Sequence, residues 1–237
     1  MNLTKKIVSV AAGVALVAGM GAVAATPATA KNHAKTKTTG ASVLSVPPAL
    51  AAALSESGVS LGVQGAAKAA ADGSTGYTNV TFPLAAKPKT DGVIPHKGAL
   101  TITSEVTGVT LVYANPWIEY ATSGGEGAAL TGVITGLPDW MEPYSSAING
   151  QRLPTFVIPD WAGEWKKGKI KMVSKNVYKR VDTFTGGGTV TLTDSQDSMN
   201  ILNTALGTSL APGTPIGPIT TTIKNTITCN SKKACKK

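Results

Sequence analysis

Short segments rich in β-branched residues, separated by turn residues, dominate the sequence between residues 80 and 133. Residues 101–103, 109–120 and 128–133 are such segments, and Gly, Pro, Asn or Asp lies between them. Segments of this length and composition, bounded by turn residues, are typical of strands joined by turns. The chain also has 26 Gly and 14 Pro, which leaves little room for long helices. We therefore predict a mainly β chain, an antiparallel β-sandwich or barrel-like single domain with one or two short helices.

Two segments carry helix signals. Residues 47–58 begin with Pro, continue with Ala and Leu, and end at Gly58. A second helix is predicted from Asp194 or Ser195, either of which caps a helix start, to Gly207. Residues 66–71 are interpreted as a helical turn or a loop. Further strands are predicted over residues 59–63, 153–158, 169–173, 177–184, 189–193 and 216–228.

The first 30 residues have the layout of a secretory signal peptide. Lys5 and Lys6 precede an uncharged apolar run over residues 7–25, and Ala28 and Ala30 are small residues at the positions that a signal peptidase reads. Cleavage after Ala30 would make the protein secreted, either extracellular or associated with the cell wall. The alternative is an uncleaved anchor, because the run approaches the ~20 residues that span a bilayer.

The predicted domain organisation follows from composition. Residues 31–41 are rich in Lys and Thr, include His33, and are predicted to be a disordered basic linker. Residues 42–228 form the single β-rich domain, and 229–237 form a basic tail. Cys229 and Cys235 lie in or beside this tail, and an exported chain is expected to join them in a disulfide. Because that loop is short and local, we expect it to stabilise little of the core.

The chain is basic, with a formal net charge of +9, or +7 once Lys5 and Lys6 are removed with the leader. A secreted basic protein is attracted to anionic polymers, so we predict cell-wall polymers or a surface protein as partners and no nucleic acid. Lysines alternate with apolar residues over residues 169–173, as on an antiparallel strand with one solvated face. Protection of an edge strand explains this stripe equally well, and solubility alone explains the net charge.

Groups that would build a catalytic site are missing from the sequence. Ser104 and Ser145 are not in a Gly-x-Ser-x-Gly elbow. There is no phosphate loop, dinucleotide fingerprint or zinc-ligand spacing. Nothing in the sequence pairs the carboxylates that a glycosidase would need, which are Glu119, Glu126, Glu142, Asp139 and Asp160. We therefore predict a protein that is not an enzyme and has no metal site.

Candidate ligand-binding residues are one histidine and several aromatic residues. His96 is interpreted as a buried or turn histidine satisfied by backbone groups, as a pocket residue that orients a metal-bound ligand such as a tyrosinate, or as a direct metal ligand. The phenols nearest to it in sequence are Tyr77, Tyr113 and Tyr120. The proline-rich segment 136–165 contains Trp140, Trp161 and Trp165. It is interpreted as a long structured loop that binds a ligand, or as a segment whose aromatic residues cap the end of a sandwich.

Residues 45–135 resemble HtaA-type domains, which are secreted, mostly β domains of Gram-positive cell envelopes, several of which bind haem. The resemblance lies in Phe82-Pro83-Leu84, in the motif His96-Lys97-Gly98-Ala99-Leu100, in residues 111–116 and 128–133, and in the helix at 47–58. It implies haem as a cofactor, with His96 supporting a tyrosine ligand on the first helix.

This chain departs from the family at the ligand itself, because residues 47–76 contain no Tyr, Trp or Phe. Either another tyrosine supplies the bond to iron, or this domain does not bind haem. We therefore predict a secreted, non-catalytic binding or structural domain of the cell surface. Binding of haem, or of another flat ligand, near His96 is the alternative.

Overall fold

One antiparallel sheet runs through most of the described part of the chain. The structure is a computed structural model and describes residues 34–88, 92–120 and 127–236. Within these residues the strands are β1 (Ala34–Val46), β2 (Val59–Gln64), β3 (Lys68–Ala71), β4 (Thr78–Pro83), β5 (Val93–Pro95), β6 (Ala99–Ser104), β7 (Thr110–Tyr120), β8 (Ala128–Thr135), β9 (Arg152–Ile158), β10 (Ala162–Lys166), β11 (Lys171–Ser174), β12 (Val177–Leu192) and β13 (Pro215–Cys229). The helices are α1 (Pro48–Glu56), α2 (Tyr144–Ile148) and α3 (Gln196–Leu206), with 3-10 turns at Asp139–Met141 and Ala234–Lys236.

The strand order makes the sheet nearly closed. Along the sheet the strands follow β2-β6-β7-β8-β9-β12-β13-β1-β4-β3, while β10 and β11 also pair with β12 and β5 pairs with β7. The two ends of this order, β2 and β3, both line one pocket beneath α1. The prediction of a mainly β, antiparallel, barrel-like domain with short helices is therefore confirmed.

The core lies inside this curved sheet. On β12 and β13 alternate side chains are buried, as the two-residue period of a strand requires. Four of the fully buried aliphatic residues, Ile118, Ile158, Val190 and Ile223, come from four different strands. The core therefore depends on contacts between segments that are far apart in sequence.

The structure contains both predicted helices. In α1, Pro stands in the first turn and Leu54 is buried. In α3, the Ser195 side chain accepts a hydrogen bond from the Ser198 amide, and Gly207 ends the helix in the left-handed conformation at φ 65°. Met199 and Leu206 place α3 against the sheet.

Two side chains from the sheet satisfy carbonyls at the end of α3. Ser104 Oγ donates to the Leu206 carbonyl at 2.7 Å, and Thr107 Oγ1 donates to the Ala205 carbonyl at 2.7 Å. The last carbonyls of a helix have no partner within the helix. These bonds therefore fix α3 to the β6–β7 turn.

Replacing Ser104 with Ala is expected to lower the free energy of unfolding by about 1–3 kcal/mol, because it leaves a buried carbonyl without a donor. Ser104 is 0% exposed. Urea denaturation of this variant measures the effect. Ser60→Ala, at an exposed position on the adjacent strand β2, is the control and should change stability by less than about 0.5 kcal/mol. Equal losses in the two variants would contradict the role of Ser104.

Two predicted segments form strands that the sequence did not predict. The linker predicted over residues 31–41 is strand β1 from Ala34 onward, because its backbone pairs with β13 from Ala34↔Cys229 to Leu44↔Ile219. The first residues of that linker and the predicted signal peptide lie outside the described residues. Residues 66–71, interpreted as helical turn or loop, include strand β3, where pairing with β4 overrides the helix preference of alanine.

The segments 177–184 and 189–193, predicted as separate strands, are one strand in the structure. Gly186, Gly187 and Gly188 join them, and each lies where a neighbouring group leaves no room for a side chain. A Cβ at Gly187 would lie 2.5 Å from the Ile219 carbonyl oxygen, and one at Gly188 would lie 2.6 Å from the Ile158 side chain. The glycines thus mark close packing within a continuous strand rather than a turn.

No helix in the described part of the chain is long and apolar enough to cross a membrane.

Candidate functional site

His96 lies in the core, between β5 and β6, with 1% of its surface exposed. Its Nδ1 lies 3.2 Å from the carbonyl oxygen of Pro116, and its Nε2 lies 2.7 Å from Ser42 Oγ. A carbonyl only accepts, so Nδ1 carries the proton and Nε2 accepts from the Ser42 hydroxyl. Ser42 Oγ in turn lies 2.5 Å from Thr221 Oγ1, which donates to it. The network joins three strands and the β5–β6 connection.

The surroundings of His96 keep its ring uncharged. Burial lowers the pKa of His96 to about 4, while hydrogen bonds to the backbone at Pro116 and Ile94 partly oppose this shift. Both ring nitrogens are engaged by protein groups. The arrangement agrees with the first interpretation of His96 in part, because a backbone carbonyl engages one nitrogen and the Ser42 side chain engages the other.

The glycine in the His96–Leu100 motif also has a structural explanation. Gly98 has a φ of +97°, and a Cβ at this position would lie 2.3 Å from the Ala67 backbone nitrogen. Only glycine combines this conformation with this close approach. The motif that carries the family resemblance therefore has a packing role in this chain.

The structure brings one of the three candidate tyrosines near His96. Tyr113 and His96 line the same internal cavity of about 20 Å³, which has room for about one water molecule. The Tyr113 hydroxyl donates to the Leu130 carbonyl at 2.5 Å, and burial raises the pKa of this phenol well above its usual value. Tyr120 instead stacks on Trp161, and Tyr77 lies half-buried just before β4.

The tryptophan-rich segment divides into two places in the fold. Trp161 and Trp165 both pack on Phe184, with ring centroids 6.4 and 5.4 Å from its ring. Together with Tyr120 they form a row of aromatic side chains along the sheet. Trp140 is not part of this row; it is 60% exposed and lines a groove beside α3.

Neither His96 nor Tyr113 is free to bind the iron of a porphyrin. The nitrogens of His96 are buried and engaged, and the Tyr113 hydroxyl is hydrogen-bonded in the core. The pocket beneath α1, of about 240 Å³, is lined by aliphatic side chains and the hydroxyl-bearing residues Ser55, Ser60 and Thr78. None of these pocket groups is a good ligand for ferric iron. Among the described residues, no group of three or more His, Cys, Asp or Glu side chains is placed to hold a metal.

A second candidate site is a set of lysines on the outer face of the sheet. Lys35 of β1 and Lys179 of β12 both lie opposite Thr228 of β13. Lys179 also lies opposite Lys171 of β11. Residues opposite each other on antiparallel strands point to the same face. This row therefore crosses four strands, a distance of about 14 Å at the usual strand spacing.

Two further lysines lie on the same face. Lys37 follows Lys35 by two residues on β1, and Lys224 of β13 lies opposite Thr39 and Thr183. All five lysines are exposed. We call this set, Lys35, Lys37, Lys171, Lys179 and Lys224, the lysine face. Threonines fill many of the positions between them, so hydroxyl donors accompany the charges.

One carboxylate among the described residues shares this face: Glu164 of β10 lies opposite Thr185 of β12, and it pairs with Lys166 rather than with a lysine of the set. The outward positions of β1, β12 and β13 contain no Asp or Glu. The ion pairs found among the described residues are Lys166–Glu164 and Arg180–Asp182, neither of which includes these lysines. Like charges directly opposite each other, as at Lys171 and Lys179, destabilise a sheet. The face is therefore a concentrated positive surface that the fold tolerates at some cost.

Protection of an edge strand accounts for only part of this surface. β11 and the first half of β1 are edge segments, where lysines prevent pairing with other chains. Lys179 and Lys224 lie on strands that are paired on both sides. Edge protection therefore does not explain these two lysines.

The sequence indicated the lysine stripe at residues 169–173 but not the rest of the face. The alternation of Lys35 and Lys37 was a local signal of a strand. The pairing of β1 with β13 joins nearly opposite ends of the chain, and no local pattern reveals it. The lysine face becomes visible only when that register is known.

The structure as a whole defines a mainly β, barrel-like domain, and two solved structures are similar to it. The C-terminal domain of HtaA from Corynebacterium glutamicum is 14% identical, with a TM-score of 0.48, covering 81% of this chain and 99% of that one. A domain-swapped dimer of a histidine-to-alanine variant of the same domain is 13% identical, with a TM-score of 0.35, covering 72% and 87%. No protein-family model and no curated protein matches the sequence. The two structures come from the family that the sequence resembles, but similarity at this level says nothing about what this chain binds.

Proposed function

We propose that this protein is a non-catalytic binding domain of the cell surface that attaches to anionic polymers through the lysine face. The observation that carries the proposal is the alignment of five exposed lysines from four strands on one face, none of which is in an ion pair within the described residues. Such a surface attracts a polyanion and raises its local concentration. The predicted signal peptide would deliver the domain to the wall, where anionic polymers occur.

The shape of the lysine face suits an extended ligand. Its charges lie along strands and across them, so a linear chain of phosphates or carboxylates meets several lysines at once. Each contact is individually weak, because exposed ion pairs contribute only about 0–1 kcal/mol. Affinity therefore comes from several contacts made together, and it should fall steeply as salt screens them.

Binding to two defined polyanions, a long-chain polyphosphate and poly-L-glutamate, tests the proposal. Dissociation constants measured at about 50 mM and about 500 mM NaCl should rise strongly with salt. The triple variant Lys37→Gln, Lys179→Gln, Lys224→Gln is expected to weaken binding at low salt at least about tenfold, since it removes several contacts of up to about 1 kcal/mol each. A preference for one polymer would identify the anionic group.

The matched control is the triple variant Lys68→Gln, Lys87→Gln, Lys97→Gln, which removes the same charge from exposed positions elsewhere. It should weaken binding by less than about threefold, the effect of net charge alone. Equal losses in the two triple variants would show that net charge, and not this face, determines binding. Failure of either polymer to bind the unmodified protein at low salt would overturn the proposal.

Haem does not enter this proposed function, because the two candidate groups, His96 and Tyr113, both have hydrogen-bond partners in the core.

A further inference from the structure

A groove on another part of the surface lies between the segment around Asp139–Met141 and helix α3. It has a volume of about 480 Å³. One wall carries Trp140, Glu142 and Tyr144. The other wall carries residues of one face of α3, namely Asp197, Asn200, Ile201 and Thr204. None of these residues belongs to the lysine face.

The two aromatic side chains of the groove are unusually exposed. Trp140 is 60% exposed and Tyr144 is 51% exposed. Neither ring stacks on another aromatic ring in the described part of the chain, unlike Trp161 and Trp165. Large aromatic side chains left in water next to a concave surface are a common mark of a binding site.

Polar groups with unused hydrogen-bonding capacity surround these rings. Among the described residues, the Asp197 carboxylate, the Tyr144 hydroxyl and the Trp140 indole N–H make no hydrogen bond. Asn200 Oδ1 accepts from Gln196 at 2.9 Å, which leaves its NH₂ group to donate. One oxygen of Glu142 accepts from Ser146 Oγ at 2.7 Å, and the other remains to accept. Donors and acceptors are therefore interleaved around apolar faces.

This mixture selects among classes of ligand. A purely apolar ligand would displace water from Glu142 and Asp197 without replacing the hydrogen bonds of that water, which is costly. An anion would be repelled by both carboxylates. A cation would be attracted to them and to the aromatic faces, but the donors of Asn200, Trp140 and Tyr144 would then have no acceptor. A sugar ring has an apolar C–H face and a rim of hydroxyls that both donate and accept, so it matches every group.

We propose that the groove between Trp140, Tyr144 and helix α3 binds a neutral saccharide, with its C–H face on the aromatic rings and its hydroxyls on Glu142, Asp197 and Asn200. This site is separate from the lysine face. A surface-attached domain would thus contact the charged and the uncharged parts of a glycan-rich envelope through different residues.

Calorimetric titration of the purified protein with cellotetraose, maltotetraose and the tetramer of N-acetylglucosamine tests this inference. At least one of them should bind, and Trp140→Ala should weaken that binding about tenfold or more, which corresponds to about 1.4 kcal/mol. Trp165→Ala is the matched control, because Trp165 is 46% exposed but lies outside the groove. It should leave the affinity within about twofold of the original.

The possible results separate the two sites. The triple lysine variant of the lysine face should bind the tetrasaccharide as the unmodified protein does, so failure of the polyanion proposal leaves this test intact. Absence of heat with all three sugars at about 10 mM would overturn the inference, since that concentration detects even weak sites. Equal weakening by Trp140→Ala and Trp165→Ala would also overturn it.

Discussion

Replacing Arg180 with Met is expected to lower the free energy of unfolding by about 3–5 kcal/mol, because it leaves the Asp182 charge buried without its partner. Arg180 and Asp182 are 6% and 8% exposed. The Arg180 NH2 group lies 2.9 Å from Asp182 Oδ2, and Nε donates to the same oxygen at 3.1 Å. Asp182 Oδ1 also accepts from the Gly168 amide at 3.0 Å.

Arg180 also holds the C-terminal tail. Its NH1 group donates to the carbonyl oxygen of Cys235. Cys235 is 0% exposed and forms the predicted disulfide with Cys229. The disulfide loop therefore packs against β12 and β13 and forms a small core with Ala234, instead of joining the tail only to itself. The loop is thus not isolated, because a buried arginine links it to the sheet, while the expectation that the disulfide stabilises little of the core stays a prediction.

Urea denaturation of Arg180→Met beside the double variant Arg180→Met, Asp182→Leu measures the effect. The double variant should recover much of the lost stability, because it removes the unpaired charge and replaces the pair with apolar groups. A loss below about 1 kcal/mol in the single variant would mean that water reaches Asp182 in the folded state.

The sequence predicts the local features of this fold well. The α3 boundaries follow from a serine cap and a terminal glycine, which act within one turn of helix. The strand ending at Ile158 and the strand β13 follow from runs of β-branched residues. These signals are short-range, so they can be interpreted without knowing the partner strands.

The features that the sequence does not predict depend on distant partners. Residues 34–40 look disordered because they are rich in Lys and Thr, yet β13 supplies backbone partners for all of them. The lysine face and the groove beside α3 arise in the same way, from segments brought together by the sheet. His96 is the opposite case, because its place in the sequence suggested a ligand site, and the structure gives it buried partners on β1 and β7.

The buried position of His96 predicts a pH dependence of stability. In the folded protein the pKa of His96 is lowered to about 4, from the ordinary value of 6.5. As the pH falls below 6.5, the unfolded chain takes up a proton at this residue and the folded chain does not. The unfolded state then binds more protons, so stability falls between these two pH values. The part of the stability that depends on neutral His96 is fully present above pH 6.5 and is lost progressively as the pH falls toward 4.

Between about pH 7 and about pH 5 we expect the free energy of unfolding to fall by about 2 kcal/mol through His96 alone. Few carboxyl groups titrate in this range, so the slope belongs mainly to histidine. His96→Gln keeps an acceptor for the Ser42 hydroxyl and should remove this slope, although it lowers stability at every pH. His33→Gln changes the second of the two histidines in the chain and should leave the slope in place. The contradicting outcome is that His33→Gln removes the slope and His96→Gln does not. His96 would then take up its proton in the folded state near its ordinary pKa. The network of neutral groups from Thr221 through Ser42 to Pro116 would be wrong in that case.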